Sequence, residues 1–148
     1  MVLKFNINEL SNTKRERLGR EIDITVFRLL RYMDLERYLG NAANGVYYEC
    51  GRELGKSLEP NNIEDIIDFC EKYKIGYVEI VSENPLKIRV YECITCSGLP
   101  NVGKPLCHFE GGFIAGCLEK IFNKKVRATE THCAGLGNEF CQFDIKVY

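Results

Sequence analysis

The chain has 148 residues, Lys+Arg 20 against Asp+Glu 21, and a formal net charge of -1. That is one ordinary domain, able to bury about 70% of the surface its unfolded chain exposes, so it needs no disulfide or metal to fold. Balanced charge leaves no electrostatic footprint for nucleic acid, no stretch reaches the ~18 apolar residues of a membrane span, and no secretory signal is present.

The expectation is a single cytoplasmic domain over residues 1–148, because no repeat, low-complexity tract or linker divides it. A short strand-like start (Val2, Leu3, Phe5, Ile7) precedes a polar segment. Its densest basic run, Lys14-Arg15-Glu16-Arg17, contains an acid and reads as solvated surface. From Glu21 to Leu39, Ile22, Val26, Leu29, Leu30 and Met33 recur at helical spacing, with Gly40 as a stop. A second helix is expected at about 42–57, with Val46, Tyr47, Cys50 and Leu54 on one face. A third follows Asn62, a cap, with Glu64 and Asp65 in its first turn suiting the helix dipole.

After Gly76 the period changes to two. Residues 77–82 and 86–94 read as strands joined by Glu83-Asn84-Pro85. A Gly/Pro-rich loop, 95–104, leads to a fourth helix, with Pro105 in its first turn and Leu106, Phe109, Phe113, Cys117 and Ile121 as its apolar stripe. Gly112 and Gly116 would let it approach its support closely. Residues 124–132 and 139–147 read as a last hairpin. About four helices and an antiparallel sheet of at least four strands make an α+β layer fold.

Eight cysteines in a reducing compartment argue for thiols or metal ligands. Cys50, Cys70 and Cys117 fall on apolar stripes and read as core. Cys107 opens a helix, where amide donors and the dipole favour the thiolate. Cys141 shares parity with Phe143, Ile145 and Val147, and Cys133 enters the turn of the last hairpin. Glu130 has the inward parity of Val126 and Ala128, and a core-facing carboxylate is costly unless paired or bound to a cation. Three thiolates and one carboxylate meet zinc's tetrahedral preference and leave no position for water, so such a site is structural. Two alternatives stay open: His132, also of inward parity, as a ligand, or ordinary core thiols near a carboxylate. Cys93-Ile94-Thr95-Cys96 has the spacing of a redox pair or a metal knuckle, but it does not open a helix as a thioredoxin-type motif would.

The motifs Cys96-x-Gly98-x-Pro100, Gly103-x-x-x-Cys107-x-Phe109, Gly112-x-x-x-Gly116, Glu130-x-x-Cys133-x-x-x-Gly137 and Cys141-x-Phe143 resemble the 4-vinyl reductase domain family, over about residues 90–145. The resemblance implies a small-molecule-binding domain. Its relatives include sensor domains of bacterial activators that detect aromatic hydrocarbons and a protein of bacteriochlorophyll synthesis. The fold is similar to that of Golgi vesicle-tethering (TRAPP) subunits, which hold an acyl chain in a tunnel. In the aromatic sensors three cysteines and a glutamate bind zinc, and their spacing falls on Cys107, Glu130, Cys133 and Cys141, which favours Glu130 over His132. This chain has no Trp, so the His/Trp grip on a phenol hydroxyl does not carry over. A stand-alone module is similar to archaeal members described as hydrocarbon binders.

The leading expectation is therefore binding of an apolar small molecule (hydrocarbon, aromatic or acyl chain) beside a structural zinc. The pocket is expected between helices 21–57 and the sheet, among Phe27, Leu30, Tyr47, Tyr48, Phe69, Tyr77, Tyr91 and Phe113. One alternative is a thiol-dependent reductase using Cys93 and Cys96, although no nucleotide-binding Gly-rich turn and no nucleophile–base arrangement are apparent. The other is a dimeric interaction scaffold. A homodimer is expected through the helical surfaces of residues 21–57.

Overall fold

Helices occupy the first half and the sheet the second. The structure, a computed structural model, describes residues 5–33 and 35–148. Asn6 and Glu9 form a reciprocal capping box that starts helix α1, Ile7–Ser11. Ile7 is thus helical and not in a strand; Val2 and Leu3 lie outside the described residues. The expected helix over 21–39 is two helices, α2 (Ile24–Arg31) and α3 (Glu36–Leu39). Asp23 caps α2 by accepting from the Thr25 amide, and helix spacing of apolar residues runs on past Arg31 without marking the break. Helices α4 (Ala43–Ser57) and α5 (Ile63–Lys72) follow, the latter capped by Asn62.

Strands β1 (Tyr77–Glu83) and β2 (Leu86–Tyr91) form the first hairpin. Strand β2 stops short of Ile94 because Glu92 takes a left-handed φ of 51°, which a ladder does not accommodate. Helix α6 spans His108–Phe122, with Cys107 and not Pro105 at its N-cap boundary. Strands β3 (Val126–His132) and β4 (Cys141–Val147) complete an antiparallel sheet of order β1-β2-β4-β3. Cys141, Phe143 and Ile145 alternate onto its buried face. This is the α+β fold that the change of period implies.

Helix α6 lies between the sheet and α4. A methyl group added at Gly112 or Gly116 would overlap the carbonyls of Tyr48 and Arg52. One added at Gly51 or Gly55 would overlap those of Phe109 and Phe113. The two helices therefore meet backbone to backbone through four glycines. This contact decides which face of α4 is buried: Ala43, Gly51 and Gly55 are covered, whereas Cys50 is exposed, contrary to its expected core position. Cys70 and Cys117 are buried as expected. Glu119 ties the layers at the far end, accepting from Arg52 Nε at 3.1 Å and from the Val126 amide at 3.2 Å.

Gly112→Val is expected to destabilise the protein by about 1–3 kcal/mol or more through overpacking at a backbone contact, read as a lower midpoint in urea. An exposed control, Gly45→Ala, meets nothing within 4 Å and should leave the midpoint unchanged or raise it.

Candidate functional site

Four chain segments converge under the N-terminus of α6. Cys107 ends the loop that enters α6, Cys133 closes β3, Cys141 begins β4, and Cys93 and Cys96 come from the turn after β2. All five are buried, each at 2% exposure or less. Their sulfurs lie 3.7 Å (Cys93–Cys107), 3.9 Å (Cys107–Cys133), 3.5 Å (Cys141–Cys107) and 3.2 Å (Cys96–Cys141) apart. No pair is bridged; all eight cysteines are free. Two overlapping quartets have ligand atoms within 4.8 Å of one another: Cys107, Glu130, Cys133 and Cys141, and Cys93, Cys96, Cys107 and Cys141. Either could hold a metal ion.

The first quartet is the expected one. Glu130 Oε2 accepts the Cys107 amide at 2.9 Å, while Oε1 is buried without a hydrogen-bond partner. Desolvation, with Cys133 beside it, pushes the Glu130 carboxyl up to about 9. An orphaned carboxylate oxygen among thiols is what a bound cation would satisfy. The thiols are set against one another by sulfur–sulfur hydrogen bonds. Bonding to Cys107 lowers Cys133 to about 6 and Cys96 to about 4, while bonding to Cys133 drives Cys107 up.

A bulge explains why Glu130 and His132 differ. Glu130 pairs with Phe143 and His132 with Gln142, so the register shifts between them. One extra residue re-aims the following side chain. His132 stacks on Phe140 with ring centroids 5.4 Å apart and its Nδ1 lies 3.0 Å from Thr131 Oγ1. It belongs to neither quartet. Equal parity along the sequence hid the bulge.

Helix α2 clamps the Cys93–Cys96 turn. Arg28 donates to the carbonyls of Ile94 at 2.9 Å and Ser97 at 2.8 Å, and Tyr32 donates to that of Thr95 at 2.9 Å. Thr95, wholly buried, bonds Glu110 on α6.

Glu110 opens onto a cavity of about 300 Å³ lined by Phe27, Arg31, Leu54, Tyr73, Ile75, Ile94, Phe109, Glu110 and Phe113. Helices α2, α4 and α6 and the α5–β1 turn wall it, with no strand residue contributing. Of the eight pocket residues expected, Phe27 and Phe113 line it. Phe69 stands behind Phe113, ring centroids 5.4 Å apart. Leu30 faces outward at 67% exposure. Tyr47 stacks under Arg31 and Tyr48 accepts the Ala128 amide. Tyr77 and Tyr91 pair with each other, 6.4 Å between centroids, and Tyr91 with Phe140. Two polar groups unforeseen from the sequence line the cavity, Arg31 and Glu110. Each has a buried atom without a partner, Arg31 Nε and Glu110 Oε2. The readable signal was Glu110 itself, a lone acid in the apolar run from Phe109 to Leu118.

The family model of the vinyl-4-reductase domain matches residues 86–147, the segment that carries Glu130 and all five clustered cysteines. A relative in Methanocaldococcus jannaschii, an uncharacterized protein, is 54% identical over 132 residues, 89% of this chain and 82% of its own length. The chain belongs to the vinyl-4-reductase domain family. A vinyl-4-reductase family protein of the same organism has a TM-score of 0.68 at 27% identity, covering 88% of this chain and 85% of that one. Two solved structures under 25% identity share the fold. One is the phenol-responsive sensory domain of the transcription activator PoxR (TM-score 0.64, 15% identity, 87% and 77% covered). The other is a trafficking protein particle complex subunit 3 from Naegleria fowleri (0.60, 13%, 84% and 95%). This vinyl-4-reductase fold is thus the TRAPP-subunit-like fold expected. No helix among the described residues is long and apolar enough to cross a membrane.

Burial raises the Glu110 pKa above its ordinary 4.5. The folded state then holds a proton that the unfolded state releases, and stability falls as pH rises from about 4.5 toward the raised value. Glu110→Gln removes that loss. Its stability relative to wild type is expected to improve as pH rises through this window, measured by urea midpoints at several pH values.

Proposed function

We propose that this vinyl-4-reductase domain binds a small apolar ligand with one hydrogen-bonding end in the cavity between α2 and α6, beside a structural zinc. The observation that carries the reading is the cavity's composition: apolar walls with two unpartnered polar atoms, Arg31 Nε and Glu110 Oε2. Apolar pockets with few polar groups are how proteins hold and orient small molecules, and about 300 Å³ stands at the small end of the usual range. A single aromatic ring or a short acyl chain suits it. Arg31 offers a donor to a hydroxyl or carboxyl oxygen, and protonated or ionised Glu110 completes the bond. The PoxR domain, solved with phenol, and the Naegleria fowleri subunit, covalently bound to palmitic acid, support the reading as examples of ligands held on this fold.

Zinc suits the quartet Cys107, Glu130, Cys133 and Cys141 by donor type and number. With four protein ligands it would join the start of α6 to the β3–β4 hairpin and leave no position for a reacting water. The role is structural, and catalysis has no assigned residue.

A homodimer through the first half of the chain is supported by its exposed apolar side chains: Leu29 (68%), Leu30 (67%), Met33 (61%) and Tyr38 (78%). A large exposed apolar patch marks an interaction site. Leu29→Glu with Leu30→Glu is expected to halve the mass seen by light scattering. A wild-type monomer at micromolar concentration would sink the dimer.

For the ligand, protein stripped of bound organics is expected to take up monocyclic phenols or short fatty acids, seen by native mass spectrometry and thermal shift. Arg31→Leu should weaken polar-headed ligands about tenfold or more, the loss of one buried hydrogen bond to a charged group, while sparing toluene. No uptake from either class would overturn the assignment. For the metal, protein as purified is expected to contain zinc, and Cys133→Ser to lose it with a lower melting temperature.

A further inference from the structure

Cys93 and Cys96 are left over by a one-ion site, yet they are among the most deeply buried thiols in the protein, at 2% and 1% exposure. Cys93 Sγ lies 3.7 Å from Cys107 Sγ and Cys96 Sγ 3.2 Å from Cys141 Sγ. Metal–sulfur bonds of ~2.3 Å in a tetrahedron set sulfurs about 3.8 Å apart, so these spacings are those of ligands on one ion. They are far longer than a disulfide's ~2.05 Å. They are also too short for thiolates held apart around an inorganic iron–sulfide cluster.

We propose that Cys93, Cys96, Cys107 and Cys141 form a second metal position, so that the core of this domain holds two divalent, zinc-like ions bridged by Cys107 and Cys141. The first ion is the one assigned above, on Cys107, Glu130, Cys133 and Cys141, and the proposal rests on that reading. The two quartets share two cysteines, which is the geometry of two tetrahedra with a common edge. Each ion then has four protein ligands, and every clustered sulfur has a role.

Charge favours two ions over one. Five thiolates and a carboxylate around one divalent ion leave four uncompensated negative charges in a dry core, a cost of many kcal/mol. A second ion leaves two. Two guanidinium groups stand against the backbone that presents these thiols. Arg28 donates to the carbonyls of Ile94 and Ser97, and Arg31 to that of Leu106 at 3.3 Å. The turn is held from outside by α2 rather than by its own sulfurs, so it is preformed for a metal.

The test is metal stoichiometry in the full chain, stripped under reducing conditions and reloaded with Zn(II) or Co(II). Native mass spectrometry should show two ions per wild-type chain and one in Cys93→Ser with Cys96→Ser. Glu130→Gln with Cys133→Ser should also keep one, on the tetrathiolate. Bridging thiolates couple paired high-spin Co(II), so fully loaded wild type should give less electron paramagnetic resonance intensity per cobalt than the half-loaded form; this reads wild type alone and does not depend on a variant folding. Saturation at one ion, unchanged by Cys93→Ser with Cys96→Ser but lost in Cys133→Ser, would overturn the second position and keep the structural zinc. One ion lost only with Cys93 and Cys96 would overturn both. Iron with acid-labile sulfide in the purified protein, or two uncoupled cobalt ions, would overturn the bridged pair.

Discussion

Helix α6 is covered on both sides, by the sheet and by α4, and the rest of the molecule depends on how that is done. A helix apolar all round must be buried all round. Here one side is buried by side chains, with Phe143 against Gly111, and the other by glycine contacts to α4. The backbone approach fixes α6 along its length, and so fixes its first turn. That turn places Cys107 over the sheet's thiols and Glu110 and Phe113 against the cavity. Precise packing of a plain helix is thus what assembles the chemistry.

The thiols come from elements of different stiffness. Cys141 and Cys133 belong to a hairpin whose ladder and whose Asn138 bonds to the Cys133 amide and carbonyl hold them. Cys93 and Cys96 sit in a turn, with Ser97 and Leu99 amides closing it onto their carbonyls and α2 gripping its outer side. A rigid half and a clamped half meet at Cys107. Glu130 is fixed by the Cys107 amide, so the carboxylate is positioned by the same residue whose sulfur lies at the centre of the cluster.

Much of this was legible in the sequence. The change of period after Gly76, the parity of Cys141, Phe143 and Ile145, and the i, i+4 glycines of α6 all express local rules that the fold obeys. What was hidden is non-local. The bulge between Glu130 and His132 breaks parity without any residue that announces it. Cys50 looks like a core residue on a helical stripe, but α4 buries its glycine face because backbone contact there outweighs side-chain area. The pocket residues were chosen by type, and aromatic type does not separate Phe113 in the cavity from Tyr91 on the outer sheet face. Arg31 and Glu110 were missed because charged residues are seldom fully buried; their unpartnered atoms become visible only once the cavity is.

The thiol cluster and the cavity are joined by one contact. Thr95 stands between Cys93 and Cys96 and bonds Glu110 through its hydroxyl. Glu110 therefore gives one oxygen to the turn that carries two of the thiols and leaves the other for the cavity. A polar group bound at the second oxygen competes for the same carboxyl charge that the turn uses. Arg31 repeats the pattern from α2, facing the cavity while its Nη2 holds the carbonyl of Leu106, beside Cys107. A ligand in this cavity cannot change the hydrogen bonding of either residue without acting on the backbone that presents the sulfurs. Occupancy of the cavity and support of the thiol cluster therefore draw on the same few polar atoms.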